Sequence, residues 1–307
     1  MLEGAAALKW GVERRLEFIE FRLFWEGGVN RSDIIEMFDV SVPQASKDLT
    51  LYQERAPDNA IYDKSAKRYV ASAQFSPIFL KPDPDSYLSR LRSLAEGLTD
   101  PVESWIAHPP QTDIALTPRR AVDSGVLQAI LSAVREHRSI DVHYQSMSGK
   151  RADPMWRRMT PHAFGYDGLR WHARAYCHID SKFKDFLLPR ILGVRDMDRP
   201  GPGGDQDTLW QETFDIEIGP HPRLTPSQRA VVAKDYGMTK ERAVLTVRYA
   251  MLFYVLKRLG LLSDASQQDP RTQHIVALNA AETARALKRA DFELDEAEQA
   301  ARVRGRA

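Results

Sequence analysis

Cysteine is almost missing: Cys177 is the one cysteine in 307 residues. A disulfide framework within the chain is thereby excluded, and a reducing compartment such as the cytoplasm is expected. Long apolar runs are missing too. Nothing approaches the roughly 18–20 residues that a membrane helix needs, and the opening residues MLEGAAALKWGVERR lack the basic-then-apolar order of a secretory signal. There is almost no net charge, +1 in all, which argues neither for nor against a polyanionic partner. Catalytic signatures are equally scarce, with no P-loop, no GxSxG, and no CxxC or HExxH spacing for a metal. A hydrophobic content of 43% and a charged content of 28% describe an ordinary globular protein, long enough for more than one domain.

Charge is present but unevenly placed. Residues 119–199 hold 15 Lys and Arg against 9 Asp and Glu, whereas residues 1–75 hold 10 against 12. A DNA-reading surface near the N-terminus must therefore be a local patch rather than a broad basic field.

The basic region centres on residues 157–191. From Arg170 to His178 the residues alternate, with Trp171, Ala173, Ala175 and Cys177 on one parity and Arg170, His172, Arg174, Tyr176 and His178 on the other. A strand sends successive side chains to opposite faces, so one face is small and apolar while the other is basic and aromatic. Asp167-Gly168 supplies a hairpin turn before it, and a second β-type run, Phe183 to Ile191, follows Asp180-Ser181-Lys182. Arginine forks, imidazoles and aromatic rings on one small sheet suit a nucleotide or a short nucleic-acid segment.

Toward the N-terminus, Trp10 to Trp25 has a helical pattern stopped by Gly27-Gly28. Asn30 caps a short helix, Arg31 to Phe38, and Ser41 caps a third that runs through Arg55 with Pro43 in its first turn. Ala45, Leu49 and Tyr52 fall on one side of that third helix; Pro43, Gln44, Ser46, Lys47 and Thr50 fall on the other. Ala60 to Val70 forms a β-hairpin wing. Two short helices joined by a tight turn and followed by a wing describe a winged helix-turn-helix, although similar units occur in domains that never touch DNA.

Residues 75–122 are rich in proline and carry one helix, Ser86 to Glu96. A helix is expected over Val126 to His137, a strand over Ile140 to Ser146, and a turn at Gly149-Lys150. Pro200-Gly201-Pro202-Gly203-Gly204 is the clearest linker. Beyond it the pattern predicts a strand over Phe214 to Ile218, a helix opened by the capping box Thr225 to Gln228, a strand over Glu241 to Tyr249, a helix over Met251 to Leu262, a short strand over His274 to Leu278, and a helix over Ala281 to Arg304.

Three blocks together, Arg158-Met159-Thr160-Pro161, Arg170 through Cys177, and Phe186-Leu187-Leu188-Pro189-Arg190-Ile191, resemble the WYL domain of bacterial transcriptional regulators. The eponymous tripeptide stands here as Trp171-His172-Ala173, a variant similar to the BrxR-like and CapW-like repressors linked to phage-defence operons. Asn30 to Phe38, Val40 to Leu49, Tyr62-Asp63 and Tyr69 resemble the winged helix of the same regulators.

The resemblance implies an α+β multidomain chain. Its parts are a winged helix-turn-helix (1–76), a bridging linker with a helix (77–122), a WYL domain built as an Sm/SH3-like β-barrel (123–199), and a WCX-like α/β extension that dimerises (205–307). It further implies a ligand-responsive homodimeric repressor of a defence operon on an inverted-repeat operator, without catalysis, cofactor or metal. DNA contacts fall to Arg31, Ser41, Gln44, Ser46, Lys47, Thr50, Lys64, Lys67 and Arg68. A nucleotide or single-stranded nucleic-acid effector falls to Tyr144, Ser146, Arg158, His162, Trp171, His172, Arg174 and Arg190.

Plainer roles compete with these. The parity of Trp171 with Ala173 and Ala175 predicts a core position, and Arg158 and Arg190 can instead pair with Asp185 or Asp167. An activator and an RNA-binding regulator remain alternatives. A nuclease or phosphoesterase is disfavoured, because the carboxylates near the motif fall mostly in turns.

Overall fold

The computed structural model describes residues 9–115, 118, 120–147 and 153–290. The chain divides near residue 117 into two compact units. The expected turn at Gly149-Lys150 and the end of the last expected helix lie outside the described residues.

Unit 1 is built on α1 (Trp10–Trp25), α2 (Arg31–Phe38) and α3 (Val42–Arg55), followed by the antiparallel wing β1 (Ala60–Asp63) and β2 (Arg68–Ala71). The local chemistry explains each boundary. Asn30 and Asp33 form a reciprocal capping box at the start of α2, and the Ser41 hydroxyl accepts from the Gln44 amide at the start of α3. Leu16, Phe18, Ile19 and Phe21 of α1 meet Ile34, Ala45, Leu49 and Tyr52 in one core.

The stretch expected to bridge domains belongs to this core. After α4 (Pro84–Ala95) and α5 (Pro101–Ser104), Trp105 and Ile106 are buried among the α1 side chains. Trp105 meets Phe18 and Phe21 edge-on, with the Arg14 and Arg90 guanidinium groups over its ring. Two carboxylates, Glu20 within α1 and Glu26 at its C-cap, hold the stretch down. Glu20, with 0% exposure, accepts from the backbone amides of Ile78, Phe79 and Leu80 and from the Tyr52 hydroxyl. Glu26 accepts from the amides of Ala107 and His108 and from the Tyr87 hydroxyl.

Unit 2 opens with α6 (Ser124–Arg135), whose Val126, Ile130 and Ala133 pack on a five-stranded antiparallel sheet. Its strands are β3 (Ile140–Tyr144), β4 (Met155–Tyr166), β5 (Trp171–Cys177), β6 (Lys182–Leu187) and β7 (Ile191–Met197), in the order β6-β5-β4-β3-β7. Only a 3-10 turn, Leu188–Arg190, links β6 to β7, although they are opposite edges. Flat, those edges would stand roughly 19 Å apart, beyond the roughly 14 Å that four Cα steps span. The sheet must therefore curl, helped by a bulge between Pro161 and Ala163. Among the described residues no ladder joins β6 to β7, so the expected closed barrel is an open, curled sheet.

A second α/β layer follows in the same unit: α7 (Thr208–Gln211), β8 (Thr213–Pro220), α8 (Pro226–Asp235), β9 (Ala243–Arg248), α9 (Tyr249–Arg258), β10 (Ile275–Ala277) and α10 (Ala280–Arg289). The three strands pair antiparallel in the order β10-β8-β9. Ile216, Ile218, Leu252, Leu256 and Ile275 form their core. The capping box at Thr225 and Gln228 opens α8 as expected from the sequence.

Candidate functional site

In unit 1 the N-terminus of α2, the outer face of α3 and the wing surround a groove of about 580 Å3, lined by Asn30, Arg31, Ser32, Ser46, Thr50, Tyr62, Lys67 and Tyr69. Arg31 and Lys47 are exposed, as are Lys64 and Lys67 in the wing turn, where Lys67 adopts a left-handed φ of 53°. The Ser46 and Thr50 hydroxyls donate one turn back along α3, to the carbonyls of Val42 and Ser46 at 3.0 Å each. Both residues line the groove, and a hydroxyl oxygen that donates can still accept. Gln44 is half-buried and donates to Asp48, which Arg15 grips from α1 at 2.6 Å. Ser41 serves as the cap of α3.

Arg68 differs from the expectation that it lies on a DNA backbone. Its guanidinium donates to the carbonyls of Glu26 and Gly28, tying the wing to the end of α1. Tyr62 and Tyr69, edge to face at 5.2 Å on the wing, were not among the expected contacts. Their shared parity across the hairpin, where they are directly paired, was the available signal.

In unit 2 the eight expected ligand residues separate into two groups and two outliers. The first group lies inside the curl of the sheet. Tyr144 is buried; its hydroxyl accepts from the Leu187 amide at 3.2 Å and is bonded to Arg190. Burial pushes the phenol pKa up against the opposing pull of that amide and the two nearby arginines. Arg157, which the sequence reading passed over, lies here as well. It is 2% exposed with its guanidinium 5.3 Å from the Tyr144 ring centre, and its Nε and Nη2 have no hydrogen-bond partner among the described residues. A buried guanidinium that keeps unused donors is costly and calls for an anion. Its parity with Met159 and Pro161 on β4 could have marked it as inward-facing. Ser146 is half-buried just beyond β3, its carbonyl accepting from the Gln145 side chain at 2.7 Å.

The second group is on the outer face. Arg174 forks onto Asp207 at 2.7 and 3.1 Å and reaches Asp185 at 3.3 Å. His162 Nε2 is 3.0 Å from the same Asp207 carboxylate, and His172 is 3.2 Å from Asp167. Tyr254 of α9 donates to Asp185 at 2.9 Å and packs its ring 4.8 Å from that of His172. Burial alone would raise the Asp207 carboxyl, but His162 and Arg174 outweigh it and hold it below the usual range. Asp167 is likewise raised by burial, yet hydrogen bonds from Arg170, the Leu169 amide and His172 bring it to about 2. The outer face of β5 is thus the seam between the WYL-like sheet and the last α/β layer.

The outliers correct two expectations. Arg158 is ion-paired with Asp141 at 2.8 Å and with Asp198, which makes it a brace between β3, β4 and the end of β7. Trp171 is 51% exposed, tilted against Tyr166 at 4.9 Å, not in the core. Parity fails there because β5 begins at the hairpin tip, past the edge of the buried core face that starts at Ala173.

The seam makes stability pH-dependent. Burial lowers the His172 pKa below 6.5 despite the pull of Asp185 and Asp167. The unfolded chain therefore takes up a proton below about pH 6.5 that the folded chain refuses. Stability of unit 2 is expected to be level above that pH and to fall as pH drops through it. Replacing His172 with Gln should flatten part of the slope of melting temperature between pH 7.5 and 5.5. His178, lowered chiefly by burial and then by Arg158, accounts for a further part. An unchanged slope in the variant would remove His172 from this role.

Comparison with known proteins gives three domain matches. Residues 11–93 match the BrxR transcriptional regulator winged helix-turn-helix domain, residues 125–196 the WYL domain, and residues 213–283 the BrxR transcriptional regulator C-terminal dimerization domain. The chain is 41% identical over 280 residues to a DNA-binding transcriptional repressor CapW of Stenotrophomonas maltophilia, covering 91% of this chain and 93% of the relative. A CapW of Escherichia coli (strain KTE188) is 36% identical over 93% of this chain and 95% of its own, and one of Pseudomonas aeruginosa is 36% identical over 90% and 92%. Among solved structures, the proteasome accessory factor B/C (PafBC) of Arthrobacter aurescens overlaps 95% of this chain and 51% of its own at 15% identity, with a TM-score of 0.23 too low to bear on the fold.

Proposed function

The chain belongs to the BrxR/CapW family of WYL-domain transcriptional regulators, and from that premise we propose that it is a sequence-specific DNA-binding repressor acting as a homodimer. One observation carries the reading: Ser46 and Thr50 of α3 stand with wing Lys67 and Arg31 at the N-terminus of α2 around one open groove, and Lys47 is exposed on the same helix. That is the layout of a recognition helix entering a major groove while the wing and the preceding helix grip phosphates. A two-fold protein places two such helices a fixed number of DNA turns apart, so the operator is an inverted repeat. The operon under control is a phage-defence operon, as for the regulators this chain resembles.

The WYL domain is the sensor for a phosphate-bearing effector, a nucleotide or a nucleic-acid segment. The Arg157 donors that lack a partner among the described residues, beside Arg190 and Tyr144, support this, since a buried guanidinium fork is suited to phosphate. For the effector to release DNA it must bind one arrangement of the dimer better than the other.

Replacing Lys47 with Ala is expected to weaken operator binding roughly tenfold and to reduce the salt dependence by about one counterion. Fluorescence anisotropy over a range of salt concentrations measures both. Because Lys47 is exposed, folding should be untouched. Unchanged affinity and an unchanged salt slope would take α3 out of the interface.

A further inference from the structure

The glycine-rich segment after β7 is not a free linker. Its backbone lies on the polar face of β4 and β5: a side chain at Gly201 would strike Thr160 and the His178 ring, and one at Gly204 would strike the His162 ring. Only glycine permits so close an approach. The segment ends at Asp207, 1% exposed, which also caps α7 through the Trp210 amide. Its two carboxylate oxygens meet Arg174 Nε and Nη2, and one of them meets His162 Nε2.

Two features of this contact match an anion-binding site. A forked guanidinium with an imidazole on the same oxygen is the arrangement that receives a phosphoryl group. The anion filling it comes from the segment that joins the sheet to the dimerisation layer, not from the sheet itself. We propose that residues 201–207 are an autoinhibitory strap whose Asp207 carboxylate occupies an anion site on Arg174 and His162, and that a phosphate-bearing effector displaces it. This rests on the reading of the WYL domain as an effector sensor and adds a second anion site to it, on the outer face of the sheet and separate from Arg157, that is gated from within the chain.

Displacement moves Asp207, and with it the cap of α7, so effector binding and the placement of the last α/β layer become one equilibrium. An internal carboxylate acts as a tethered competitor at high effective concentration. The apparent affinity for the effector is reduced by the fraction of molecules whose strap is closed. Asp185, which shares Arg174 and receives the Tyr254 hydroxyl, stays behind and prevents Arg174 from being left as a bare buried charge.

The test titrates inorganic phosphate, then inorganic tripolyphosphate, into the full-length protein by calorimetry, with wild type and Asp207→Asn compared. Asparagine keeps the size and one acceptor but removes the competing charge. The variant is expected to bind at least tenfold more tightly. In the wild type, saturating probe should raise hydrogen exchange of the amides in residues 201–211 at least tenfold, a readout that survives even if the variant folds poorly. Equal affinities with unchanged exchange would overturn the strap while leaving the sensor reading in place. Failure of either probe to bind either protein would overturn both.

Discussion

Arg174→Ala is expected to destabilise unit 2 by about 3–5 kcal/mol, the range for removing one partner of a buried ion pair. From the sequence alone the same change should give a folded protein that holds DNA and ignores its effector. The geometry adds a structural cost to that expectation. Asp207 would lose both guanidinium bonds and keep His162 and the Trp210 amide, while Asp185 would keep the Tyr254 hydroxyl. A carboxylate at 1% exposure cannot recover the loss from water. Arg174→Lys should recover part of the stability, because it restores the charge but not the fork. Urea unfolding followed by the tryptophans of this unit measures it. A loss under about 1 kcal/mol would mean that the seam is not held by this pair.

The second large effect concerns unit 1. Glu20→Ala is expected to cost about 3 kcal/mol, since three partly exposed backbone amides lose the buried carboxylate they share and a hydrogen bond to a charged group contributes about 1.5–3 kcal/mol. The amides are those of Ile78, Phe79 and Leu80; the Tyr52 hydroxyl of α3 loses its acceptor as well. Burial, with Glu20 adding to it, pushes the Tyr52 pKa up, so the phenol stays a donor. Because α3 is the proposed recognition helix, the variant should lose DNA affinity along with its thermal stability. Glu20→Gln, which keeps one acceptor and adds an unwanted donor, should fall between. A variant as stable as wild type would show that the segment after the wing holds to α1 without this carboxylate.

Local chemistry was the most legible part of the fold. Asn30, Ser41 and Thr225 announce their helices by capping, and all three side chains accept from the amide three residues on. Strand alternation through Ala173, Ala175 and Cys177 correctly marked the core face of β5. What could not be read was anything that depends on distant partners. Nothing near Arg174 in the chain points to Asp207, 33 residues later, so a basic face that is spoken for looked vacant. Pro-rich residues 77–122 looked like a bridge because the anchors of their described part, Glu20 in α1 and Glu26 just past it, lie far upstream. Glu20 inside the apolar run Phe18-Ile19-Glu20-Phe21 was the one hint, since a charge at a core position demands donors. The open sheet was equally hidden: whether edge strands join is a matter of long-range register, not of local pattern.

The central claim, that α3 and the wing read a specific duplex, is tested most directly by one comparison at physiological salt. Full-length protein is titrated onto the duplex upstream of its own gene and onto a scrambled duplex of equal length and composition. The account predicts binding to the first at least about a thousandfold tighter, the low end for specific recognition, with affinity falling steeply as salt rises. Equal affinity for the two duplexes would contradict it.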